Sequence, residues 1–264
     1  MDILDKIIAR KTIEVAERKN KVTSKQLETT LLFPRETISL KSELLNPLSS
    51  GIIAEHKRKS PSKGIINADV TLAQVTTGYT KAGASGLSVL TDIDFFGGSD
   101  QDLIYARTLN QIPILRKDFI IDEYQLIEAK AFGADVILLI AACLTPKRLR
   151  ELAVFAKSLG LDVLMEVHNL EELQQNLIPE LDIVGVNNRN LKTFEVTLQT
   201  SIDLYDYIPA DYVKITESGI NTAKEMGMLY KIGYRGFLIG ESMMKTKNPG
   251  ETCQKLIEEF ALWK

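Results

Sequence analysis

The chain has 264 residues, 45% of them hydrophobic and 25% charged, and a formal net charge of −3. That is enough apolar material for one large α/β barrel or two modest domains, and the interspersed charges offer no basic face for nucleic-acid phosphates, so nucleic acid is not an expected partner. Two cysteines, Cys143 and Cys253, lie far apart without CxxC spacing, which argues against a disulfide framework and a zinc site and fits a reducing cytoplasm.

The stretch Met1 to Lys11 is broken by charges and lacks the apolar core of a signal peptide. Asp2 with Asp5 three residues on has the look of a cap, and Ile3, Leu4, Ile7, Ile8 and Val15 recur at helical spacing through Lys19. An amphipathic helix is expected there, ahead of whatever repeat follows. Residues 20–47 are weakly patterned and read as short helix and loop. Segment 1–47 is therefore expected to be a helical extension of a barrel spanning 48–264, the two forming one structural domain. The longest apolar run, Val136 to Leu144, is far short of the roughly 18 residues a membrane span needs, so no membrane location is expected.

From Gly51 onward strands and helices alternate. The first strand, through Ile53, Glu55 and Lys57, runs without a turn into the charged loop Arg58 to Gly64. Its consecutive charges and Ser60-Pro61-Ser62 leave little to bury, and it is expected to be a mobile lid. A helix over about 69–82, closed by Gly83, leads to a second strand over 86–90, and Ser99 with Asp102 opens the next helix. The third strand, 112–116, precedes a helix over 123–132 capped by Asp122 and ended at Gly133; the fourth strand is 136–140. Thr145-Pro146 starts a helix with Leu149, Leu152, Ala153, Ala156 and Leu159 as its buried stripe and Gly160 as its stop. The fifth strand, 162–167, is followed by a short helix opened by Asn169, and the sixth strand ends at Asn187 before a helix near 198–205. Strands over 213–216 and 236–239 flank a helix opened by Asn221, and Asn248-Pro249 with Glu251 opens the last helix.

Eight strands separated by helices imply parallel pairing with right-handed crossovers. With no Pro- or Gly-rich linker between them, a single closed (β/α)8 TIM barrel is preferred to an open doubly wound sheet. In such a barrel Glu55, Lys57, Lys117, Glu166, Asn187, Arg189 and Glu217, each ending a buried run, would converge on the C-terminal mouth. Lys117 and Glu166 are the pair suited to proton transfer, a structural ion pair being the alternative. Ser218-Gly219 and Gly240-Glu241-Ser242 follow strands seven and eight, where this fold commonly holds phosphate on backbone N–H groups that glycine lets approach closely. A small phosphorylated substrate is expected. His56 and His168 are read as facing away from Glu55 and Glu166, two ordinary strand-end imidazoles, so no metal site is expected. Neither GxGxxG nor GxxxxGK[ST] occurs.

At these residues the chain resembles the indole-3-glycerol phosphate synthase family. The resemblance is carried by Ile53-Ala54-Glu55-His56-Lys57-Arg58-Lys59-Ser60-Pro61-Ser62, Ser88-Val89-Leu90-Thr91-Asp92, Phe95-Phe96-Gly97-Gly98 and Leu115-Arg116-Lys117-Asp118-Phe119-Ile120. It continues through Met165-Glu166-Val167-His168, Gly185-Val186-Asn187-Asn188-Arg189-Asn190-Leu191, Glu217-Ser218-Gly219-Ile220 and Leu238-Ile239-Gly240-Glu241-Ser242, and so covers nearly the whole chain. The resemblance implies ring closure, decarboxylation and dehydration of 1-(2-carboxyphenylamino)-1-deoxyribulose 5-phosphate in the tryptophan pathway, without a cofactor. It casts Lys117 as general acid, Glu166 as base of the dehydration, and Lys57 as holder of the substrate carboxylate and a proton donor. Glu55, Asn187 and Glu217 would orient them. Arg189 and Ser218 would contact the substrate, Ser60, Gly219, Gly240 and Ser242 the phosphate, and Phe96, Phe119 and Leu138 the aromatic ring. A cytoplasmic monomer is expected, with association with other tryptophan-pathway enzymes left open. The competing readings are a sister barrel such as phosphoribosylanthranilate isomerase, which lacks the Glu-x-Lys strand end together with Lys117 and Glu166, and a non-catalytic barrel subunit, which would show an eroded mouth.

Overall fold

The structure, a computed structural model, describes residues 3–61, 64–191 and 193–264. Asp2 of the expected cap, and Ser62 and Lys63 of the expected lid, lie outside them. Eight parallel strands close into a barrel: β1 (Ile52–His56), β4 (Gly86–Leu90), β5 (Ile114–Lys117), β6 (Val136–Ile140), β7 (Asp162–Val167), β8 (Ile183–Asn187), β9 (Val213–Glu217) and β10 (Gly236–Ile239). The loop after β1 holds the short antiparallel pair β2 (Lys59–Ser60) and β3 (Gly64–Ile65). Arg58 beside it is tied to Asp102 at 2.8 Å, and Ser60 is buried, so the flanks of this loop bury more than their composition suggests.

The chain enters the barrel through α1 (Ile3–Lys21), α2 (Ser24–Glu28) and α3 (Leu40–Leu45). Outside the strands lie α4 (Leu72–Ala82), α5 (Asp100–Leu109), α6 (Glu123–Ala131), α7 (Pro146–Ser158), α8 (Leu170–Asn176), α9 (Gln199–Leu204), α10 (Ala223–Ile232), α11 (Glu241–Met244) and α12 (Pro249–Ala261). Local chemistry sets most of their ends. Thr71 and Gln74 form a capping box that starts α4 three residues later than its helical spacing alone suggests. Thr222 with Glu225 does the same for α10, so Thr222 and not Asn221 is its N-cap. Pro146 and Pro249 each occupy the first turn of their helices, where a missing N–H costs nothing. The third barrel strand begins at Ile114, after Pro113, and reaches one residue further than expected, to Lys117.

Alternation divides the apolar side chains into two layers. Ile52, Val89, Ile137, Val163 and Val184 face outward and pack under the helices. Ile53, Leu115, Leu138, Leu164, Ile183, Ile215 and Leu238 fill the barrel interior. Leu40 and Leu44 of α3 join that interior cluster and plug the floor. At Gly86 a Cβ would come within 2.9 Å of Leu40 Cδ1, so glycine at this strand start is what lets the plug seat. The register sets Asn187 beside Glu217, Glu166 beside Gly185 and Leu90 beside Lys117, which brings the polar strand ends to one rim.

Candidate active site

The rim opens on a cavity of about 820 Å³. Among the residues lining it are Glu55, Lys57, Ser60, Phe96, Lys117, Phe119, Leu138, Glu166, Asn187, Arg189, Glu217, Ser218, Gly219, Gly240 and Ser242. All fifteen candidate residues named from the sequence therefore meet at one place, drawn from all eight barrel strands or the loops that follow them.

At the base of the cavity Lys117 Nζ lies 2.8 Å from Glu166 Oε2 and 2.8 Å from Glu217 Oε2. Asn187 Nδ2 donates to Glu166 Oε1 at 3.0 Å, and the Arg189 backbone N–H donates to Asn187 Oδ1 at 3.0 Å. Burial works against the Lys117 charge, but the carboxylates of Glu166, Glu217 and Glu55 together hold it above the ordinary lysine range. Glu166 is likewise opposed by burial and held well below the usual carboxylate range, first of all by the Lys117 ammonium. Glu217 goes the other way. Burial, and then the negative charge on Glu166, push it up to about 8. One ammonium cannot neutralise two carboxylates in a dry site, so near neutrality the cluster holds an ammonium, a carboxylate and a carboxylic acid, a set able to give and to accept a proton.

On the facing wall Lys57 Nζ meets Glu55 Oε1 at 2.7 Å, the pairing that a two-residue separation along a strand provides. Ser88 Oγ donates to Glu55 Oε2 at 3.4 Å. A Cβ on Gly240 would fall 2.7 Å from Glu55 Oε1 and 2.8 Å from Glu55 Cβ, so this glycine makes room for a carboxylate as well as lining the mouth. Ser218 and Gly219 both have positive φ, 67° and 79°, turning the chain sharply after β9. The Phe96 and Phe119 rings lie with centroids 6.0 Å apart and form an apolar wall with Leu138.

The two histidines do not behave alike. His56 is buried, lies outside the cavity lining and is pushed down to about 4, mainly by burial. His168 departs from the expectation. Two positions beyond Glu166 along the strand direction it returns to the same side, and its Nε2 lies 3.3 Å from Glu166 Oε1. Alternation properly applied carries this signal, because residues of equal parity share a face. Ile3, Leu4 and Ile7 of α1 also line the cavity. Their helical spacing is readable, whereas their destination depends on contacts distant in sequence.

A closed parallel barrel with an ammonium, a carboxylate and a carboxylic acid gathered at its C-terminal mouth defines an enzyme of the TIM-barrel class equipped for proton transfer. Known proteins make the assignment finer. The family model for indole-3-glycerol phosphate synthase matches residues 4–256. Indole-3-glycerol phosphate synthase of Bacteroides thetaiotaomicron is 47% identical over 257 residues, covering 97% of this chain and 98% of its own. That of Polynucleobacter asymbioticus is 45% identical over 263 residues, with the same coverage of 97% and 98%. The chain belongs to the indole-3-glycerol phosphate synthase family, ring-closing and decarboxylating lyases of tryptophan biosynthesis. Among solved structures, 3-hexulose-6-phosphate synthase from Salmonella typhimurium superposes with a TM-score of 0.64 at 11% identity, covering 81% of this chain and all of that one, a likeness of fold alone. Among the described residues, no helix is long and apolar enough to cross a membrane.

Proposed function

We propose that this cavity converts 1-(2-carboxyphenylamino)-1-deoxyribulose 5-phosphate to indole-3-glycerol phosphate, and that the Lys117–Glu166–Glu217 cluster moves the protons. The observation that carries the assignment of roles is the position of Lys117 Nζ, 2.8 Å from both carboxylates at the base of the cavity. The ring carbon bearing the carboxylate attacks the ribulose carbonyl carbon, and Lys117 gives its proton to the carbonyl oxygen as that oxygen gains charge. Loss of CO2 returns the electron pair to the ring. In the dehydration Lys57 protonates the departing hydroxyl, which leaves as water, and Glu166 takes the proton released from carbon. Glu217, protonated near neutrality, stands 2.8 Å from the Lys117 amine and returns a proton to it. One proton is drawn from solvent per turnover.

Lys57, paired with Glu55, faces the substrate carboxylate, and Asn187 fixes the Glu166 carboxylate. Arg189 and Ser218 bind substrate hydroxyl and carboxylate oxygens. Phe96, Phe119 and Leu138 enclose the aryl ring, while Ser60, Gly219, Gly240 and Ser242 take the phosphate at the far side of the mouth. Action as a cytoplasmic monomer belongs to the same proposal. The test supplies the carboxyphenylamino-deoxyribulose phosphate with a metal chelator present and follows indole fluorescence. Product without metal is expected, and absence of product would overturn the proposal.

A further inference from the structure

His168 has a carboxylate at each end of its ring. Nε2 lies 3.3 Å from Glu166 Oε1, and Nδ1 lies 3.0 Å from Glu172 Oε2. The Nδ1 contact is a hydrogen bond, whereas the Nε2 contact is an ion-pair approach without hydrogen-bond alignment. A neutral imidazole has one N–H and one lone pair and would set that lone pair against a carboxylate at one end, so only the doubly protonated ring is attracted to both. Both partners already accept other donors. Glu166 already accepts from Lys117 and Asn187. Glu172 accepts the His168 backbone N–H at 2.8 Å on Oε2 and Asn169 Nδ2 at 2.7 Å on Oε1. The Asn169 side chain is itself fixed, because its Oδ1 caps α8 through the Glu172 backbone N–H. The ring is 7% exposed, so this bridge is shielded from water.

We propose that His168 is a positioning residue for the catalytic base, a cation that ties Glu166 at the end of β7 to Glu172 in the first turn of α8 and keeps the Glu166 carboxylate ionised and aimed at the cavity. The inference rests on the reading of Glu166 as base. The groups facing His168 are Glu166 from β7 and Glu172 from α8; Lys117 on β5, Glu217 on β9 and Asn187 on β8 reach it through Glu166. Burial opposes its charge, yet the two carboxylates raise it to about 10. With the imidazolium in place Glu166 has Lys117 donating to one oxygen, Asn187 donating to the other, and a second cation 3.3 Å from that latter oxygen. Without it, a neutral substituent leaves Glu166 easier to protonate, and a protonated carboxyl cannot act as base.

The chain contains two histidines, so ring-nitrogen NMR of the intact protein reads the claim directly. Between pH 6 and 9 the expected spectrum shows one imidazolium and one neutral ring, neither titrating; a ring that titrates near its ordinary value of about 6.5 at His168 would overturn the inference. His168→Gln and Glu172→Gln should each move the acid limb of the kcat–pH profile upward by about one unit, so that kcat falls roughly tenfold on the acid side and less on the plateau, with KM little altered. An unmoved acid limb alongside a lowered Tm would mark His168 as scaffold and also overturn it. Glu166→Gln separates the two readings. Normal turnover in that variant would remove Glu166 as base, and this inference with it, independently of the charge seen on His168.

Discussion

Arg116, Lys117 and Asp118 are consecutive on and after β5, yet they serve two ion clusters with opposite properties. Lys117 points into the barrel, where one ammonium faces two carboxylates and the cluster borders the cavity. Arg116 and Asp118 point outward into a network sealed by α1, α5 and α6. There Lys11, 1% exposed, lies 2.9 Å from Asp118, 3.0 Å from Asp92 and 2.9 Å from Glu14. Arg116, also 1% exposed, reaches Asp100, Asp118 and Glu128 and donates to the Gln125 carbonyl. Asp118 has further donors in the Thr91 hydroxyl and the Phe119 N–H. Burial opposes ionisation throughout; at Lys11, Arg116 and Asp118 the partners win, while at Glu128 burial does and pushes its carboxyl up. Lys11 and Arg116 are raised, and Asp118 is held below the ordinary carboxylate range. In the inner cluster the imbalance leaves Glu217 at about 8. Alternation of side chains along one strand thus separates charge that holds the wall together from charge that can move a proton at neutral pH.

The comparison is most open to breakage at Lys117. Lys117→Met keeps length and apolar stem but removes the proton, and kcat should fall by about 10²- to 10⁴-fold with substrate affinity much less affected. A large drop in Tm with kcat within a few-fold of the parent would make Lys117 scaffold like its neighbours. Lys11→Met is the converse. It strands buried carboxylates, and stability should fall by about 3–5 kcal/mol, a Tm decrease on the order of 10 °C, while kcat of the folded enzyme stays within a few-fold. If the loss appeared in kcat with Tm intact, the division between the two clusters would fail.

Gly240→Val tests the opposite wall. Its added side chain meets Glu55, so KM should rise by roughly tenfold, about 1.4 kcal/mol, and kcat should fall with it as Glu55 and Lys57 are displaced. An unchanged KM in a folded variant would move the phosphate elsewhere. The smallest effect is a pH slope. A carboxyl whose folded pKa stands at about 8, above its unfolded value, destabilises the native state increasingly as pH rises from about 4.3 through 8. His168, raised to about 10, adds stability that is complete below about 6.5 and lost as pH rises through 10. Glu217→Gln removes the first contribution only. Its Tm should match the parent at pH 5 and exceed it by a few degrees at pH 9; equal values at both would mean that Glu217 is ionised throughout.

Most of this was open to reading in the sequence because the barrel strands are short apolar runs that end in polar residues, as in Val136 to Ile140 or the approach to Glu166, and parity then assigns faces. Helix starts were legible where a capping residue stood alone, as at Asp122, Asn169 and Asn248. The cap of α10 was obscured by Asn221 beside Thr222, although the Thr-x-x-Glu spacing favours the threonine. The Lys117–Glu166 contact was foreseeable; that Glu217 shares the same ammonium required the register that sets Asn187 beside it. His168 sits against Glu166 because residues two apart on a strand share a face, and its second partner, Glu172, comes from the next helix, which strand alternation does not reveal. Residues 20–47 have weak hydrophobic periodicity, yet local caps mark their helices: Thr23 with Gln26 forms the capping box that starts α2, and Ser39 accepts the Ser42 N–H at the start of α3.

The floor plug has a consequence in time. Leu40 and Leu44 are synthesised early, but Ile183, Val213 and Leu238, against which they pack, come much later, and β1 must wait for β10 before its open edge is paired. While the nascent chain grows, two leucines and an unpaired strand edge remain exposed, the combination that recruits chaperones or neighbouring chains. The hazard therefore falls during translation rather than in the finished molecule. A circular permutant that begins after the plug and carries it behind β10 would deliver plug and socket together, shortening that exposure while keeping the packing of Leu40 and Leu44 in the barrel floor.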